Sequence, residues 1–425
     1  MGIHTQDLRG ALSSRFHSFL KRHPALRQGV LSSYTAADRW LAWTKRPLRS
    51  VFPRPVPLDA TPAWIESWNQ SHGPTASLTW VREREEVHNQ EPRSLHGHVD
   101  DEYRWARSVV APPAFVATIP NGRVVGEHGA VVTPDNRLLQ DVSWPVGSLR
   151  SYMLGDHGEI PGGPEFFIDA ALPARRIRGT VAVLSTFVGR GYFHWLWEVL
   201  PRLGLLEDAG IDLGEVDAFV VPGYFSGFQL ETLTSLGIER SRVVSSLLDR
   251  HVVADRLLVP SLPRATGVIP TWAAEYLLRA FPPLKPAGDD FPTRIYIVRK
   301  ATDHGLLEGE DELTARLRER GFVPMAMEKF SLREKAWLLG RAEAVLGPSG
   351  AGLCNIVFCR PGTKVVEIRV QPYPVMEPWD IANRCGLDFY DVLPVDYGRD
   401  QKSMVAKGAV SNEDVFATLD LAGLK

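Results

Sequence analysis

The sequence predicts an α/β protein with two units of parallel β-sheet. Two series of short apolar runs alternate with helical patterns, first over residues 177–281 and again over residues 294–368. Strands that are apolar along their whole length are typical of parallel sheets covered by helices on both faces. A segment rich in Pro and Gly, residues 281–292, separates the series and predicts a linker. Two Rossmann-like units joined in this way would leave a cleft between them, a common place for ligands.

The elements follow from these patterns in chain order. Three short β-rich runs joined by turn sequences predict a small antiparallel meander, at residues 114–119, 123–126 and 130–133. The first series predicts strands at 180–186, 218–222, 242–244 and 256–259, with helices at 192–209, 226–236 and 271–281. The second series predicts strands at 294–298, 323–325, 344–346 and 364–368, with helices at 311–320 and 332–341. We expect four regions: an N-terminal extension (1–95), a first unit with the meander (96–285), a second unit (286–400) and a helical tail (401–425).

Composition narrows the class of protein. The 425 residues are 44% hydrophobic and 23% charged, with a net charge of -2, values typical of soluble globular proteins rather than disordered, collagen-like or nucleic-acid-coating ones. The three cysteines, Cys354, Cys359 and Cys385, predict no disulfide framework and favour a reducing compartment. Apolar stretches stay below the ~18 residues of a membrane span, and basic residues interrupt the first thirty positions. We therefore expect a cytoplasmic protein.

The near-zero net charge hides a basic N-terminal segment. Residues 1–54 contain ten Lys or Arg and two Asp, a balance of +8, whereas the rest of the chain has a balance of -10. Aromatic and leucine side chains lie among these basic residues: Phe16, Phe19, Leu20, Trp40, Leu41 and Trp43. Such a segment either docks on an anionic membrane surface or forms a helix pair whose aromatics pack on the protein. Nucleic acid is not an expected partner, because the body is acidic and has no recognition motif.

A glycine-rich turn lies between the strand at 344–346 and a helix predicted to begin near Ala351. Gly347, Gly350 and Gly352 permit close backbone approach, and a helix N-terminus attracts a phosphate or pyrophosphate. The spacing G-x-x-G-x-G is neither the dinucleotide fingerprint nor a P-loop. The turn is therefore either a phosphate site or a tight turn without a ligand.

Three charged residues in the second unit support the phosphate interpretation. Arg299 and Lys300 follow the strand at 294–298, and the carboxyl ends of parallel strands are where ligands bind. Glu367 interrupts the apolar strand at 364–368 and needs a partner if buried. The candidates are a ribose diol and a structural ion pair with Arg369 or a neighbouring residue.

The helical segment after the first strand of the first unit contains a candidate acid–base pair. His194, Glu198 and Arg202 are four residues apart and predict one polar stripe, with Trp195 on an adjacent apolar stripe. Pro201 should kink this helix and free a carbonyl group. An imidazole beside a carboxylate is a plausible general base, and the alternative is a core histidine next to a Glu198–Arg202 pair. Spacings typical of metal ligands, the Asp-x-Asp pair and the G-x-S-x-G elbow are absent from the sequence.

Four blocks in order resemble glycosyltransferase family 61. They are H-W-L-x-[DE]-x-L-P-R-L at His194–Leu203, R-I-Y-[IV]-x-R at Arg294–Arg299, G-x-H-G-A-G-L-x-N-x-x-F at Gly347–Phe358, and P-G-T-x-V-[VI]-E-[IL] at Pro361–Ile368. The resemblance extends over roughly residues 105–395, and the meander is similar to the entry region of bacterial members. Ser349, Gly309 and Lys335 depart from the family pattern, which commonly has histidine, asparagine and glutamine there.

The resemblance implies a GT-B fold and inverting transfer from a nucleotide sugar, usually without a metal or other cofactor. Relatives include bacterial capsule and polysaccharide biosynthesis proteins, plant xylosyl- and arabinosyltransferases, and an animal O-GlcNAc transferase of EGF domains. On this basis His194 or Glu198 would deprotonate a glycan or lipid-linked acceptor, with Trp195 and Arg202 as further substrate contacts. The donor would be held by a larger set: Arg299, Lys300, Ser349, Gly350, Ala351, Gly352, Asn355 and Glu367.

Two other functions stay open at this point. Ser349 and Gly309 motivate a catalytically silent protein that binds a nucleotide or glycan within a biosynthetic complex. A nicotinamide-dependent oxidoreductase is suggested only by the Rossmann-like pattern.

Overall fold

The computed structural model describes residues 59–63, 65–72, 76–143, 174–186, 188–223, 226–264, 268–298, 307, 309–370, 374–395 and 410–425. The basic segment 1–54, with the helices expected there, lies outside the described residues. In the part of the chain that is described, no helix combines the length and the apolar character needed to cross a bilayer.

The strands up to the linker are β1 Asp59–Ala63, β2 Ser77–Arg82, β3 Glu85–His88, β4 Arg93–Ser94, β5 Ser108–Ala111, β6 Ala114–Pro120, β7 Arg123–Val125, β8 Ala130–Val132, β9 Arg137–Leu139, β10 Arg175–Val183, β11 Ala218–Val221, β12 Val243–Ser245 and β13 His251–Pro260. The strands after it are β14 Arg294–Ile297, β15 Val323–Met325, β16 Ala344–Pro348, β17 Lys364–Ile368 and β18 Asp388–Val392. The α-helices are α1 Ile65–His72, α2 Asp101–Trp105, α3 Tyr192–His194, α4 Pro201–Asp208, α5 Gly227–Ser235, α6 Thr271–Ala280, α7 Glu310–Glu319, α8 Leu332–Leu339, α9 Met376–Cys385 and α10 Asn412–Leu421. A π-helix, Trp195–Val199, and a 3₁₀-helix, Ala351–Phe358, lie at the candidate site.

The first sheet combines a parallel half with an antiparallel half. Strands β12, β11, β10 and β13 are neighbours in that order and all parallel. The long strand β13 joins the halves, because its free edge pairs antiparallel with β7 at one end and β6 at the other. Strands β7, β8 and β9 form an antiparallel meander, and β2 pairs with β6. The parallel strand order reverses between β10 and β13, which is where ligands bind in open α/β sheets.

The second sheet is parallel throughout, in the order β15-β14-β16-β17-β18-β4. Its strand order reverses between β14 and β16. Strand β4 comes from the N-terminal part of the chain, and α10 packs against β17 and β18, so segments from both ends complete this sheet. The region boundaries expected from the sequence stay predictions.

Both sheets are covered on two faces, as the continuously apolar strands predicted. One core contains buried residues of both sheets, for example Ala182 and Leu258 from the first and Ile295 and Val345 from the second. Helix α6 lies in this layer and packs against α4 and α9. Separate apolar clusters cover the outer face of each sheet. Capping boxes at Ser226 and Ser331 fix where α5 and α8 begin.

Most predicted strands and helices are confirmed, and the fold is mixed α/β with parallel and antiparallel strands. The predicted pairing of the first two meander strands is wrong. Strands β6 and β7 both pair with β13 instead of with each other, because β13 is ten residues long and offers each of them part of one edge. The helical pattern predicted at 192–209 is confirmed, but the segment changes helix type along its length, at a π-helical turn before Pro201.

Candidate active site

The helical segment after β10 contains a π-helical turn just before a proline. The amide of Leu200 donates to the carbonyl of Trp195, five residues earlier, at 3.0 Å. Pro201 follows as the first residue of α4 and has no N–H to continue an α-helical pattern. The widened turn accommodates the proline without a break in the chain path, and such π turns are frequent at functional sites. The helix therefore changes type just before Pro201, and the kink expected there stays a prediction.

His194 and Glu198 lie in contact at this turn. His194 Nδ1 is 3.0 Å from Glu198 Oε1, with the glutamate side chain 4% exposed and the histidine side chain 25% exposed. The same oxygen accepts a hydrogen bond from Arg264 Nη1 at 3.2 Å. Arg264 also reaches Glu377 at 3.5 Å, and its guanidinium lies 4.8 Å from the ring centroid of Phe193. One arginine thus bridges the candidate acid–base pair and helix α9.

Arg202 leaves the predicted polar stripe and points into the protein. It is fully buried, and its two terminal nitrogens donate to the carbonyls of Ser185 at 2.9 Å and Pro260 at 2.6 Å. These carbonyls lie at the carboxyl ends of β10 and β13, the two strands between which the order reverses. Burial lowers the pKa of the Arg202 guanidinium, and the nearby Glu198 charge acts in the opposite direction. Trp195 is also buried, and its Nε1 donates to Thr232 Oγ1 at 2.9 Å.

The glycine-rich turn follows β16, as predicted, and continues into the 3₁₀-helix at Ala351. Gly350 adopts φ 149° and ψ -179°, a conformation essentially restricted to glycine. A Cβ on Gly352 would lie 3.0 Å from Ile297 Cγ2, so this glycine lets the turn approach β14. Ser349 is buried, and its amide and Oγ both donate to the carbonyl of Ile368, at 2.9 and 3.4 Å. Ala351 is exposed at the start of the helix.

Glu367 is buried beside this turn, and among the described residues neither of its carboxylate oxygens has a hydrogen bond of good geometry. Burial raises the pKa of Glu367 to about 7, although the Ser349 hydroxyl and the Arg369 charge oppose the rise. The ion pair with Arg369 considered from the sequence does not form. Arg369 instead donates to Asp100 at 2.7 Å and to Asp391. The nearby Tyr103 hydroxyl is likewise buried and lacks a hydrogen bond within the described ranges.

The two halves of the candidate site are joined by a direct contact. The hydroxyl of Tyr192, two residues before His194, donates to Asn355 Oδ1 in the 3₁₀-helix at 2.6 Å. The structure therefore brings His194, Glu198, Asn355 and the glycine turn into one connected region. Arg299 and Lys300 lie outside the described residues.

Sequence reasoning missed Arg264, Glu377 and Tyr192. Arg264 follows the carboxyl end of β13, so the argument used for Arg299 would have found it as well. Glu377 and Tyr192 carry no comparable signal, because only the folded chain brings them to the site. Across the described stretches of the chain, no group of three or more His, Cys, Asp or Glu side chains is arranged to hold a metal ion.

Residues 192–366 match the family model described as Glycosyltransferase 61. The matched segment begins at Tyr192 and includes His194, Glu198, Arg264 and the glycine-rich turn. It supports the family 61 resemblance and a glycosyltransferase activity. No curated protein matches the chain.

Proposed function

We propose that this chain, with its glycosyltransferase 61 segment, is an inverting, metal-independent transferase that moves a sugar from a nucleotide sugar to an acceptor hydroxyl. The observation that carries the proposal is the contact between His194 and Glu198, at the edge where the parallel strand order of the first sheet reverses. The two sheets would form the two halves of a GT-B arrangement. The match to the family model supports transfer of a sugar but does not specify donor, stereochemistry or acceptor.

His194 acts as the general base in this proposal. A carboxylate only accepts hydrogen bonds, so Glu198 fixes the proton on Nδ1 and leaves the Nε2 lone pair for the acceptor hydroxyl. Arg264 donates to the same oxygen, Oε1 of Glu198, and so also holds that carboxylate in place. Arg202 ties this helix to the strand ends, so its part is to position the pair rather than to contact substrate.

The donor diphosphate would be held by the second sheet. The turn from Ser349 to Gly352 begins a helix whose first N–H groups have no intrahelical partner, and Arg299 and Lys300 would add polar contacts. Asn355, which is buried, would support the turn through its hydrogen bond to the carbonyl of Gly352. Glu367 would face the ribose or the sugar, because a hydroxyl group would satisfy its unpaired oxygens. Stabilising the charge that develops on the diphosphate is the largest expected contribution to catalysis.

The chemical step is a single displacement. The acceptor oxygen forms a bond to the anomeric carbon while the bond from that carbon to the diphosphate oxygen breaks. The nucleoside diphosphate leaves with the bonding electron pair, and the acceptor proton moves to His194. Attack from the face opposite the leaving group inverts the anomeric configuration.

The test is turnover by the purified full-length protein. UDP-, GDP- and CMP-sugars are offered with simple sugar acceptors, and nucleotide release and glycoside formation are both measured. Loss of general-base catalysis costs about 10²- to 10⁴-fold, so His194→Ala and Glu198→Gln should lose activity to that extent while nucleotide binding remains. His88→Ala, at an exposed position on β3, is the matched control. Full activity in both site variants would exclude this base.

A catalytically silent binding protein is the second candidate. The observation that favours it is Ser349, which stands at the family's usual histidine and uses its amide and hydroxyl on the carbonyl of Ile368. Stabilisation by UDP, GDP or CMP in a thermal-shift panel, without turnover of any nucleotide sugar, would support this role. Turnover of one donor would eliminate it.

We further propose that the acceptor belongs to polysaccharide biosynthesis on the cytoplasmic side of a membrane. The support is the +8 balance of residues 1–54, which suits an anionic lipid surface if the acceptor is lipid-linked. Binding to vesicles that contain phosphatidylserine should weaken when residues 1–54 are deleted and when salt is raised. Unchanged binding after the deletion would refute this part of the proposal.

A further inference from the structure

A buried lysine lies between the two halves of the candidate site. Lys335, on helix α8, is only 4% exposed, and its ammonium donates to the hydroxyl of Tyr192 at 2.9 Å. The ammonium also lies 4.5 Å from the centroid of the same ring. Within the described residues Lys335 makes no salt bridge, although the Glu231 carboxylate lies near enough to favour its charged form. Burial lowers the pKa of Lys335, because the buried ammonium group loses its contact with water. The hydrogen bond to Tyr192 is therefore made by a group that is costly to bury.

The contact continues as a directed chain of hydrogen bonds. Lysine can only donate, so the Tyr192 oxygen accepts from it and the tyrosine proton goes to Asn355 Oδ1, 2.6 Å away. The amide nitrogen of Asn355 then donates to the carbonyl of Gly352 at 2.8 Å. Each group in the chain has its orientation set by the one before it. The chain begins at a buried ammonium and ends on the backbone of the glycine-rich turn.

These hydrogen bonds join the elements whose relative positions matter for the proposed reaction. Tyr192 is the first residue of α3, which ends at His194, and an edge-on contact with Phe228 at 5.0 Å fixes its ring. Asn355 and Gly352 belong to the turn proposed to hold the diphosphate. Lys335 comes from α8, the helix before β16. The hydrogen bonds therefore run from α8, through the segment of the candidate base, to the turn.

We propose that Lys335 is a positioning residue which, through Tyr192 and Asn355, holds the glycine-rich turn against the helix of His194. The importance of this link for catalysis rests on the proposed function, whereas its role in holding the turn in place does not. Lys335 acts through the Tyr192 hydroxyl and does not touch the donor. A side chain that donates a hydrogen bond to Tyr192 should therefore replace it, and an apolar side chain of similar length should not.

The test compares hydrogen–deuterium exchange in the free, full-length protein and in variants. Lys335→Met and Tyr192→Phe should each speed exchange in peptides covering 351–358 by about tenfold, the effect of one lost buried hydrogen bond. The double variant should exchange no faster than the more affected single variant, because both changes break the same chain. Lys335→Gln should stay close to the parent. Lys329→Met, at an exposed lysine nearby, should match the parent.

Three results would overturn the proposal. Unchanged exchange over 351–358 in Lys335→Met would show that Lys335 does not hold the turn in place. If Lys335→Gln speeds exchange over 351–358 as much as Lys335→Met does, the charge of Lys335, and not its hydrogen bond to Tyr192, holds the turn. Faster exchange to the same degree in the distant peptide 123–139 would indicate general loosening rather than positioning.

A kinetic comparison connects the exchange result to catalysis. With a donor that the protein turns over, Lys335→Met should raise KM for the donor or lower kcat by about tenfold while Lys335→Gln restores it; equal activity in Lys335→Met and the parent would remove the catalytic role. Failure of the transferase proposal itself appears separately, as absent turnover in the parent protein, and leaves the exchange measurements intact.

Discussion

The buried carboxyl of Glu367 makes the stability of this protein depend on pH in a predictable direction. Its pKa rises from the ordinary value of 4.5 to about 7 on folding, with burial as the largest cause. Between these two values the folded protein binds a proton that the unfolded chain has lost. Stability from this group is therefore fully present below about pH 4.5, falls as the pH rises, and is lost above pH 7. The substitution Glu367→Gln removes the titrating group and keeps the shape of the side chain.

The size of the effect follows from the shift. A change of one pKa unit corresponds to about 1.4 kcal/mol, so the folded state loses about 3 kcal/mol across the whole range. Between pH 5 and pH 8 we expect the stability difference between Glu367→Gln and the parent to move by about 2–3 kcal/mol in favour of the variant. A constant cost for burying the amide does not affect this movement. Other buried acids are the same in both proteins and cancel in the comparison.

The assay is urea denaturation of both proteins at pH 5, 6, 7 and 8, with the m-value required to agree between them. Glu275→Gln, an exposed position on α6, is the control and should show a flat difference from the parent. If the difference for Glu367→Gln stays within about 0.5 kcal/mol from pH 5 to pH 8, Glu367 is not a buried, neutralisable acid. A movement in favour of the parent would contradict the sign of the argument.

Three other changes test how the site is built. Arg264→Gln should lower turnover about a hundredfold, because Glu198 loses a partner that holds it in place. Initial rates with an accepted donor measure this, and rates within twofold of the parent would argue against that role. Gly350→Ala should destabilise the protein by about 1–3 kcal/mol in urea, because alanine is strained at φ 149°, whereas Gly227→Ala, with open space around it, should not. Arg202→Met should cost about 2–6 kcal/mol, as two buried carbonyls lose their donor, and a thermal-unfolding shift equivalent to less than 1 kcal/mol would show that other groups replace it.

The alternation of apolar runs was enough to predict most strands of the two sheets, because burial on two faces leaves a local signal in such a strand. Strands β1, β2, β4, β9 and β18 were not predicted. The pairing of β6 and β7 was not predictable in the same way. Turn residues between them indicate a hairpin, and only the length of β13 shows that both strands have a better partner elsewhere. The contribution of β4 to the second sheet is a contact between distant parts of the chain and leaves no mark in the local sequence.

At the site, local spacing predicted the contact between His194 and Glu198, because four residues along a helix bring side chains together. The same spacing failed for Arg202, since the π turn between them changes which way the helix faces. Arg369 was one of the partners considered for Glu367 because the two are close in sequence, but two aspartates from other elements form its ion pairs. Local periodicity thus predicts contacts within one turn, and contacts set by tertiary packing lie beyond it.

The π turn at Trp195–Val199 adjusts the angle between two parts of one helical segment. One residue advances an α-helix by about 100°, so the extra residue in this turn rotates His194 by a similar angle relative to α4. Arg202 fixes α4 to the ends of β10 and β13, so α4 keeps its orientation and the rotation changes the direction of His194. Deleting a single residue from the turn would leave the anchor in place and aim the imidazole at a different part of the molecule.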